Sequence, residues 1–282
     1  MTSPIVLLKA WNLRAQKQLG QNFLTDPSTA AMIVKNAKIS SGDILFEIGA
    51  GLGALTIPMA GAAEKVYAVE TDRNLIRLLK TELLAGDISN VVLINENILQ
   101  FDIKRLAEQI DQKLLVVGNL PYKISSQIIV QLINSRDRLT RAVLMLQKEM
   151  ACRLTAKPGC RDYGRLTVML QYCSNIRKIA DIRAHLFFPE PKIDSRVIEL
   201  TFKNTHEYGV HDEKILFMVI KAAFSKRRKT LRNSLSGNLL NLDTKTSARV
   251  LDAAEIDQSR RAETLSVQEF VRLSNSFKSV QL

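Results

Sequence analysis

From residue 43 to residue 146, short apolar runs alternate with stretches whose apolar residues recur every three or four positions. Asp43–Ile48, Lys65–Val69, Val91–Ile94, Leu114–Val117 and Ala142–Leu146 are the short runs, rich in Val, Ile and Leu. Continuous runs of this length read as strands buried on both faces. Between the second and third, Asn74–Leu84 sets Leu75, Leu78 and Leu79 on one side of a helix. Strand and helix in turn predict an α/β fold with a mostly parallel sheet. Ile193–Phe202 is different: Val197, Ile198, Leu200 and Phe202 alternate with polar neighbours over part of its length. That pattern predicts a late edge or hairpin strand.

Beyond residue 203 the strand pattern stops. Asn204–Asp212 is polar, contains Gly209 and reads as a linker. Helical spacing then covers Glu213–Phe224, Lys226–Leu235, Thr246–Ala254 and Ser266–Phe277. The expectation is an α/β domain over residues 1–203 and a small all-helical domain over 204–282.

Charge adds a partner class. Forty Lys and Arg against 28 Asp and Glu leave a net charge of +12, and the isoelectric point is about 9.7. Such a field concentrates polyanions, so nucleic acid is the expected partner. No apolar stretch reaches the roughly 18 residues of a membrane span. The opening MTSPIVLLKAW has no basic region ahead of its apolar run, so a secretory signal is not expected. Cys152, Cys160 and Cys173 are odd in number and lack ligand spacing, and His185, His206 and His211 are scattered. Reduced thiols, a cytoplasmic location and no metal site follow as expectations.

The first strand runs into Glu47-Ile48-Gly49-Ala50-Gly51-Leu52-Gly53. Alternate glycines let the backbone turn tightly and let a ligand approach the peptide plane. A turn of this kind feeding a helix is a nucleotide-type cradle. Glu70, at the end of the second strand, is placed to accept from both hydroxyls of an adenosine ribose. Gly49-x-Gly51-x-x-Ala54 also fits the dinucleotide fingerprint, so a nicotinamide cofactor is an alternative on spacing alone. After the third strand, Glu96 or Asn97 offers an acceptor for the exocyclic amine of an adenine.

The fourth strand ends in Asn119-Leu120-Pro121-Tyr122. The Asn119 amide oxygen and the Leu120 carbonyl can accept from one amino group, and Pro121 restricts the backbone between them and the aromatic. Tyr122 offers a flat face on which a base can stack, a contact worth about 1–3 kcal/mol. This quartet resembles the (Asn/Asp)-Pro-Pro-(Tyr/Phe) motif of methyltransferases that act on amino groups of nucleic-acid bases. With KQLGQNFLTD (17–26), EIGAGLGALT (47–56), DYGRLTVMLQ (162–171) and FFPEPKIDS (187–195), the chain resembles the bacterial small-subunit ribosomal RNA adenine N6-dimethyltransferases.

That resemblance implies a Rossmann-like methyltransferase sheet with one antiparallel strand, S-adenosylmethionine as cofactor, and small-subunit rRNA in a pre-ribosomal 30S particle as substrate. It implies dimethylation of two adjacent adenosines near the 3′ end of that rRNA, by a monomer. Family cofactor contacts map onto Asn22, Leu24, Gly49, Glu70, Asn97 and Asn119, and Gly51 shares the glycine turn. The family usually carries Asp where this chain has Asn97, whose amide oxygen still accepts but without charge. Phe187 matches the aromatic of Phe-x-Pro-x-Pro-Lys that would hold the far face of the flipped base; Phe188 competes with it. Lys17 and Gln18 are expected in a flap over the cofactor. Lys226, Arg227, Arg228, Lys229 and Arg232 form the densest basic cluster, expected on a helix that follows phosphates rather than reading bases, and a plain solvated helix face is its alternative. Arg153, Lys157, Arg161 and Arg165 make a second basic stretch, expected in a loop near the mouth of the site. A non-catalytic RNA-binding or assembly factor on the same fold is the competing function.

Overall fold

The computed structural model describes residues 2–203, 208–226, 228–237 and 239–280, with side chains to residue 277. The first four residues of the expected linker, His206 among them, and Arg227 lie outside the described residues. The chain divides into two compact units, residues 1–151 with 176–202 and residues 152–175 with 203–282.

In the first unit, β2 (Ile44–Ile48), β3 (Lys65–Glu70), β4 (Val91–Asn95), β5 (Leu114–Asn119) and β6 (Leu139–Gln147) form the parallel part of a seven-stranded sheet. β9 (Ser195–Phe202) joins β6 antiparallel, and β7 (Ser174–Ile182) completes the order β4-β3-β2-β5-β6-β9-β7. Every residue of β2 is buried, as is β5 up to Gly118. Unbroken apolar runs are what a parallel sheet covered on both faces requires. A separate pair, β1 (Phe23–Leu24) with β8 (Phe187–Phe188), is antiparallel, with Phe23 opposite Phe188 and Leu24 opposite Phe187.

The helices of this unit are α1 (Pro4–Ala10), α2 (Pro27–Asn36), α3 (Thr56–Ala60), α4 (Arg73–Ala85), α5 (Ile103–Ile110) and α6 (Ser125–Ser135). Asp26, Asp72 and Asp102 cap α2, α4 and α5 by accepting from backbone N–H groups of the first turn. Part of the QNFLTD motif is therefore structural: Asp26 caps α2 with Pro27 following, and its carboxyl is held down at about 2 by bonds from Ser28 and Thr29. On α4 the buried residues are Leu75, Leu78, Leu79 and Leu83, the single stripe expected of an amphipathic helix. One core gathers Leu45, Val66, Ala68, Leu115, Val117 and Val143 from the sheet. A second joins Leu7 and Leu8 of α1 to Phe23, Leu52, Leu75 and Leu78.

The division falls within α7 (Lys148–Leu154), and the second unit then contains α8 (Arg165–Cys173), α9 (Glu213–Ala223), α10 (Leu231–Leu235), α11 (Thr244–Ala253) and α12 (Val267–Val280). Sequence placed residues 152–175 with the α/β domain; the structure places them here, because α8 packs on α9 and α12. Leu216, Val219, Ile220, Leu231, Val250, Leu251 and Phe270 are buried in this unit, with Phe224 stacked on Phe270 at 5.9 Å. Helix was expected from Lys226 onward, but α10 begins only at Leu231; before it Lys226 lies in a bend, Arg228 in a turn and Lys229 in irregular backbone. On a continued helix Lys226 and Lys229, three residues apart, would stand as like charges on one face. Lys226 instead turns back, donating from Nζ to the carbonyls of Asn233 and Ser236, each at 2.9 Å.

Candidate active site

The carboxyl ends of the central strands open onto a cavity of about 280 Å³ in the first unit. Its walls are the segment Gln18–Leu24, the glycine turn, the residues after β3 and β4, Asn119–Ile124 and Met145. This is the switch point of the sheet, where β2 connects outward to β3 on one side and pairs with β5 on the other. Asn22, Leu24, Gly49, Gly51, Glu70, Asn97 and Asn119 all line it, as do Leu120, Pro121 and Tyr122.

The glycine turn is left-handed at Gly49 (φ 78°), Gly51 (φ 55°) and Gly53 (φ 84°), a conformation that side chains disfavour. Gly49 N–H donates to the Val69 carbonyl at 2.9 Å, locking the turn to β3. Glu70 closes the same structure: Gly51 N–H donates to Oε2 at 3.0 Å and Asp72 N–H to Oε1 at 2.9 Å. Burial raises the Glu70 pKa, and those two N–H bonds oppose the rise. The carboxylate has more lone pairs than these bonds use, leaving acceptor capacity for a ligand hydroxyl.

Groups that sequence reasoning did not single out support this wall. Asp72 accepts at Oδ2 from Gln16 Nε2 (2.8 Å) and Gln21 Nε2 (2.9 Å), while its Oδ1 caps α4. The segment ahead of the QNF motif is thereby latched beside the acid that closes the glycine turn. Lys123 Nζ also reaches the Lys17 carbonyl at 3.5 Å. Glu47, 1% exposed, accepts from Thr56 Oγ1 at 2.5 Å. Burial pushes its carboxyl up to about 8, Thr56 opposing and the Glu70 charge adding to the rise. Glu47 is therefore largely neutral at pH 7.

Asn97 stands exposed just past β4, the strand paired with β3, and its Oδ1 accepts from Leu99 N–H at 3.0 Å. The side chain thus organises its own turn, with a second lone pair on the oxygen and the amino group remaining for a ligand.

At the end of β5, Asn119 Nδ2 donates to the Asn22 carbonyl at 3.1 Å. That bond orients the amide, leaving Oδ1 as the acceptor. Leu120 N–H is tied to the Met145 carbonyl at 3.0 Å, and no hydrogen bond to the Leu120 carbonyl is found among the described residues. Two acceptors on adjacent residues are thus held by β6 and by the QNF segment. Gly118, just before them, allows a close strand approach: a Cβ there would lie 2.8 Å from the Ile48 carbonyl oxygen. Tyr122 is half-buried, and its hydroxyl is 2.9 Å from Ser195 Oγ. Burial raises the Tyr122 pKa, with the Ser195 bond opposing. Ser195 is fully buried and comes from the end of FFPEPKIDS, so that motif anchors Tyr122 from 73 residues away.

Phe187, expected to face a base, is not among the residues lining the cavity. Its ring is 3% exposed and belongs to the core cluster that includes Leu24 and Ile182. Pairing with β1 turns Phe187 inward, whereas Phe188 is half-buried and packs beside Phe23.

In the second unit, Arg228, Lys229 and Arg232 are exposed. Lys226 is exposed as well, yet its ammonium is already committed to the end of α10. Arg153 lies in α7 and Arg165 opens α8, with Lys157 and Arg161 in the turns between, so this stretch is only partly a loop and belongs to the second unit. No helix of the described residues is long and apolar enough to cross a membrane.

Residues 12–273 match the family described as ribosomal RNA adenine dimethylase. The ribosomal RNA small subunit methyltransferase A of Desulforapulum autotrophicum is 56% identical over 280 residues, covering 99% of this chain and 98% of its own. The protein of the same name from Clostridioides difficile is 42% identical over 272 residues, covering 95% and 93%. Among solved structures, a dimethyladenosine transferase from Plasmodium falciparum superposes with a TM-score of 0.80 at 27% identity, covering 92% of this chain and 98% of that one. The glycine turn, the acid after β3 and the Asn-Leu-Pro-Tyr end of β5 thus sit in a chain that belongs to the ribosomal RNA adenine dimethylase family.

Proposed function

We infer that the protein dimethylates the 6-amino group of two adjacent adenosines near the 3′ end of small-subunit rRNA, with S-adenosylmethionine as the methyl donor. The observation that carries this reading is the pair of acceptors at Asn119 and Leu120, fixed by Asn22 and Met145 in the cavity that the glycine turn and Glu70 line.

The residues present fit an adenosyl ligand. Glu70 offers lone pairs to ribose hydroxyls. Asn97 carries both donor and acceptor for an adenine edge, and Ile98, Leu52 and Met145 supply apolar wall. The glycine turn leaves room where a Cβ at Gly49 would stand 3.5 Å from the Asn119 carbonyl oxygen. Asn22 and Leu24 complete the wall on the side of the latched segment. When bound, S-adenosylmethionine supplies an electrophilic methyl group on a positively charged sulfur.

The chain's own task is to make a poor nucleophile attack. The lone pair of an adenine 6-amino group is delocalised into the ring. Asn119 Oδ1 and the Leu120 carbonyl, each taking one of its hydrogens, favour a pyramidal nitrogen with the pair freed. Positive charge then grows on that nitrogen, and the two fixed dipoles are aimed at it. No strong base is needed, because the alkylated ammonium loses its proton readily to water. Much of the rate comes from holding two reactants in place. The base must leave its stack to arrive, and the Tyr122 ring, anchored by Ser195, offers it a face. In the second round one hydrogen remains, so one acceptor suffices.

The substrate in this reading is rRNA within an immature 30S particle in the cytoplasm, bound by a monomer. Arg228, Lys229 and Arg232 are offered as phosphate contacts. Incubation with immature small subunits and methyl-labelled donor should place label in RNA, and mass mapping should find two neighbouring dimethyladenosines. Label absent from the RNA at saturating donor would refute the reading.

A further inference from the structure

The first 25 residues contain Lys9, Arg14 and Lys17 but no acid; the first is Asp26. Among the described residues none of these three cations takes part in an ion pair, unlike Lys104 with Asp137 or Arg138 with Glu108 elsewhere on the same unit. Between them stands Trp11, the only tryptophan of the chain, 41% exposed.

The exposed indole stands on an ordered support. Leu7 and Leu8 root α1 in the core with Phe23, Leu52, Leu75 and Leu78. Leu13 and Ala15 pack against that same cluster, and Leu13 N–H donates to the Leu8 carbonyl at 2.8 Å. Gln16 and Gln21 are then latched onto Asp72. The cavity wall begins at Gln18, seven residues past Trp11, so the two are separated by at most about 25 Å of chain.

We propose that the arm formed by Lys9, Trp11, Arg14 and Lys17 is a binding surface for single-stranded RNA leading to the cavity, with Trp11 stacking on one base and the cations following the phosphates. The proposal rests on the function inferred above and adds a substrate contact outside the cavity. Single-stranded RNA is the occupant that uses both features, since every base has a face for stacking and every linkage a charge. Ile5 and Val6 are exposed on α1 with Lys9 one turn further on the same face, and the charged aromatic stretch begins at that lysine.

The single tryptophan makes the test direct. An adenine-rich RNA of about twelve nucleotides is titrated into the full chain while Trp emission is followed. The emission should fall on saturation. Trp11→Ala should raise the RNA Kd about five-fold or more, read by anisotropy of labelled RNA. Trp11→Phe should recover most of the loss, and donor affinity by calorimetry should not change. Lys9→Ala/Arg14→Ala/Lys17→Ala should flatten the salt dependence of log K by about 2, three contacts at roughly 0.7 each for a single strand. Unquenched emission at saturating RNA would overturn the proposal. So would a Trp11→Ala Kd within two-fold of wild type, or an emission shift seen with phosphatidylglycerol vesicles and absent with RNA. Failure of the wild-type protein to methylate immature subunits would refute the function instead, because binding by the arm is read without turnover.

Discussion

The cavity and the basic turn between α9 and α10 handle charge in opposite ways. In the cavity, the polar groups set beside the reacting atoms are tied down: Glu70 by two backbone N–H groups, Asn119 by a carbonyl, Tyr122 by Ser195. Around Arg228, Lys229 and Arg232, charges are exposed and close together in sequence. Directed chemistry on a single nitrogen needs dipoles that do not reorganise during the reaction. Attraction of an RNA backbone needs net charge near water, where fixed orientation adds little. The difference predicts that substitutions in the first region act on turnover, and those in the second on salt-dependent affinity.

Asn119→Ala offers the sharpest way to break that division. Removing one of the two acceptors should lower the single-turnover methylation rate by about 10²–10³-fold, the usual cost of one fixed catalytic dipole. Donor affinity by calorimetry should fall far less. Equal losses in rate and donor affinity would make Asn119 a binding residue only.

Glu47→Gln probes the buried side of the comparison. The Glu47 carboxyl ionises at about 8 in the folded chain against an ordinary value of 4.5. A raised folded pKa means its contribution is fully present below about 4.5 and is lost as pH rises towards 8. Glutamine mimics the neutral form and still accepts from Thr56. The variant should therefore melt several degrees above wild type at pH 9, and the gap should close as pH falls towards 5. A gap that is independent of pH would show that Glu47 is ionised throughout.

The smallest effect is expected at the basic turn. Arg228→Ala/Lys229→Ala/Arg232→Ala should weaken RNA binding chiefly at low salt and flatten log K against log salt by roughly 2 to 3. The melting temperature should hold. Lys226→Ala serves as the contrast: its ammonium caps α10, so stability should fall and the salt slope should stay nearly constant. A slope unchanged in the triple variant would remove this turn from the interface.

The sheet was legible because its parallel strands leave unbroken apolar runs, and β2 to β6 lie where those runs are, although β4, expected to be buried on both faces, is a half-buried edge strand. β7 was not, because Arg177, Lys178 and Asp181 interrupt its apolar residues. In the structure Asp181 takes Arg196 and Lys178 as partners, and Arg177 pairs with Glu199. Those pairings come from β9 and from within β7, and local pattern carries no trace of them. Residues 152–175 were assigned to the wrong side of the division for a similar reason, since the packing of α8 is decided by helices 40 or more residues later. At the site, residues at or just past a strand end, such as Gly49, Glu70 and Asn119, could be read because topology brings strand ends together. Asp72, Ser195 and Gln16 could not, because each acts through a bond to a residue far away in sequence. Phe187 shows the same limit: the motif names the aromatic, while the β1–β8 pairing decides which way its ring points.

The proposed methyl transfer depends on two oxygens receiving one amino group, and a crystal structure can see that directly. The protein should be crystallised with S-adenosylhomocysteine and an RNA carrying the target adenosine. The adenine 6-amino nitrogen should lie within hydrogen-bond distance of both Asn119 Oδ1 and the Leu120 carbonyl, with the Tyr122 ring against the base. An extruded adenine whose amino group meets neither oxygen would contradict it.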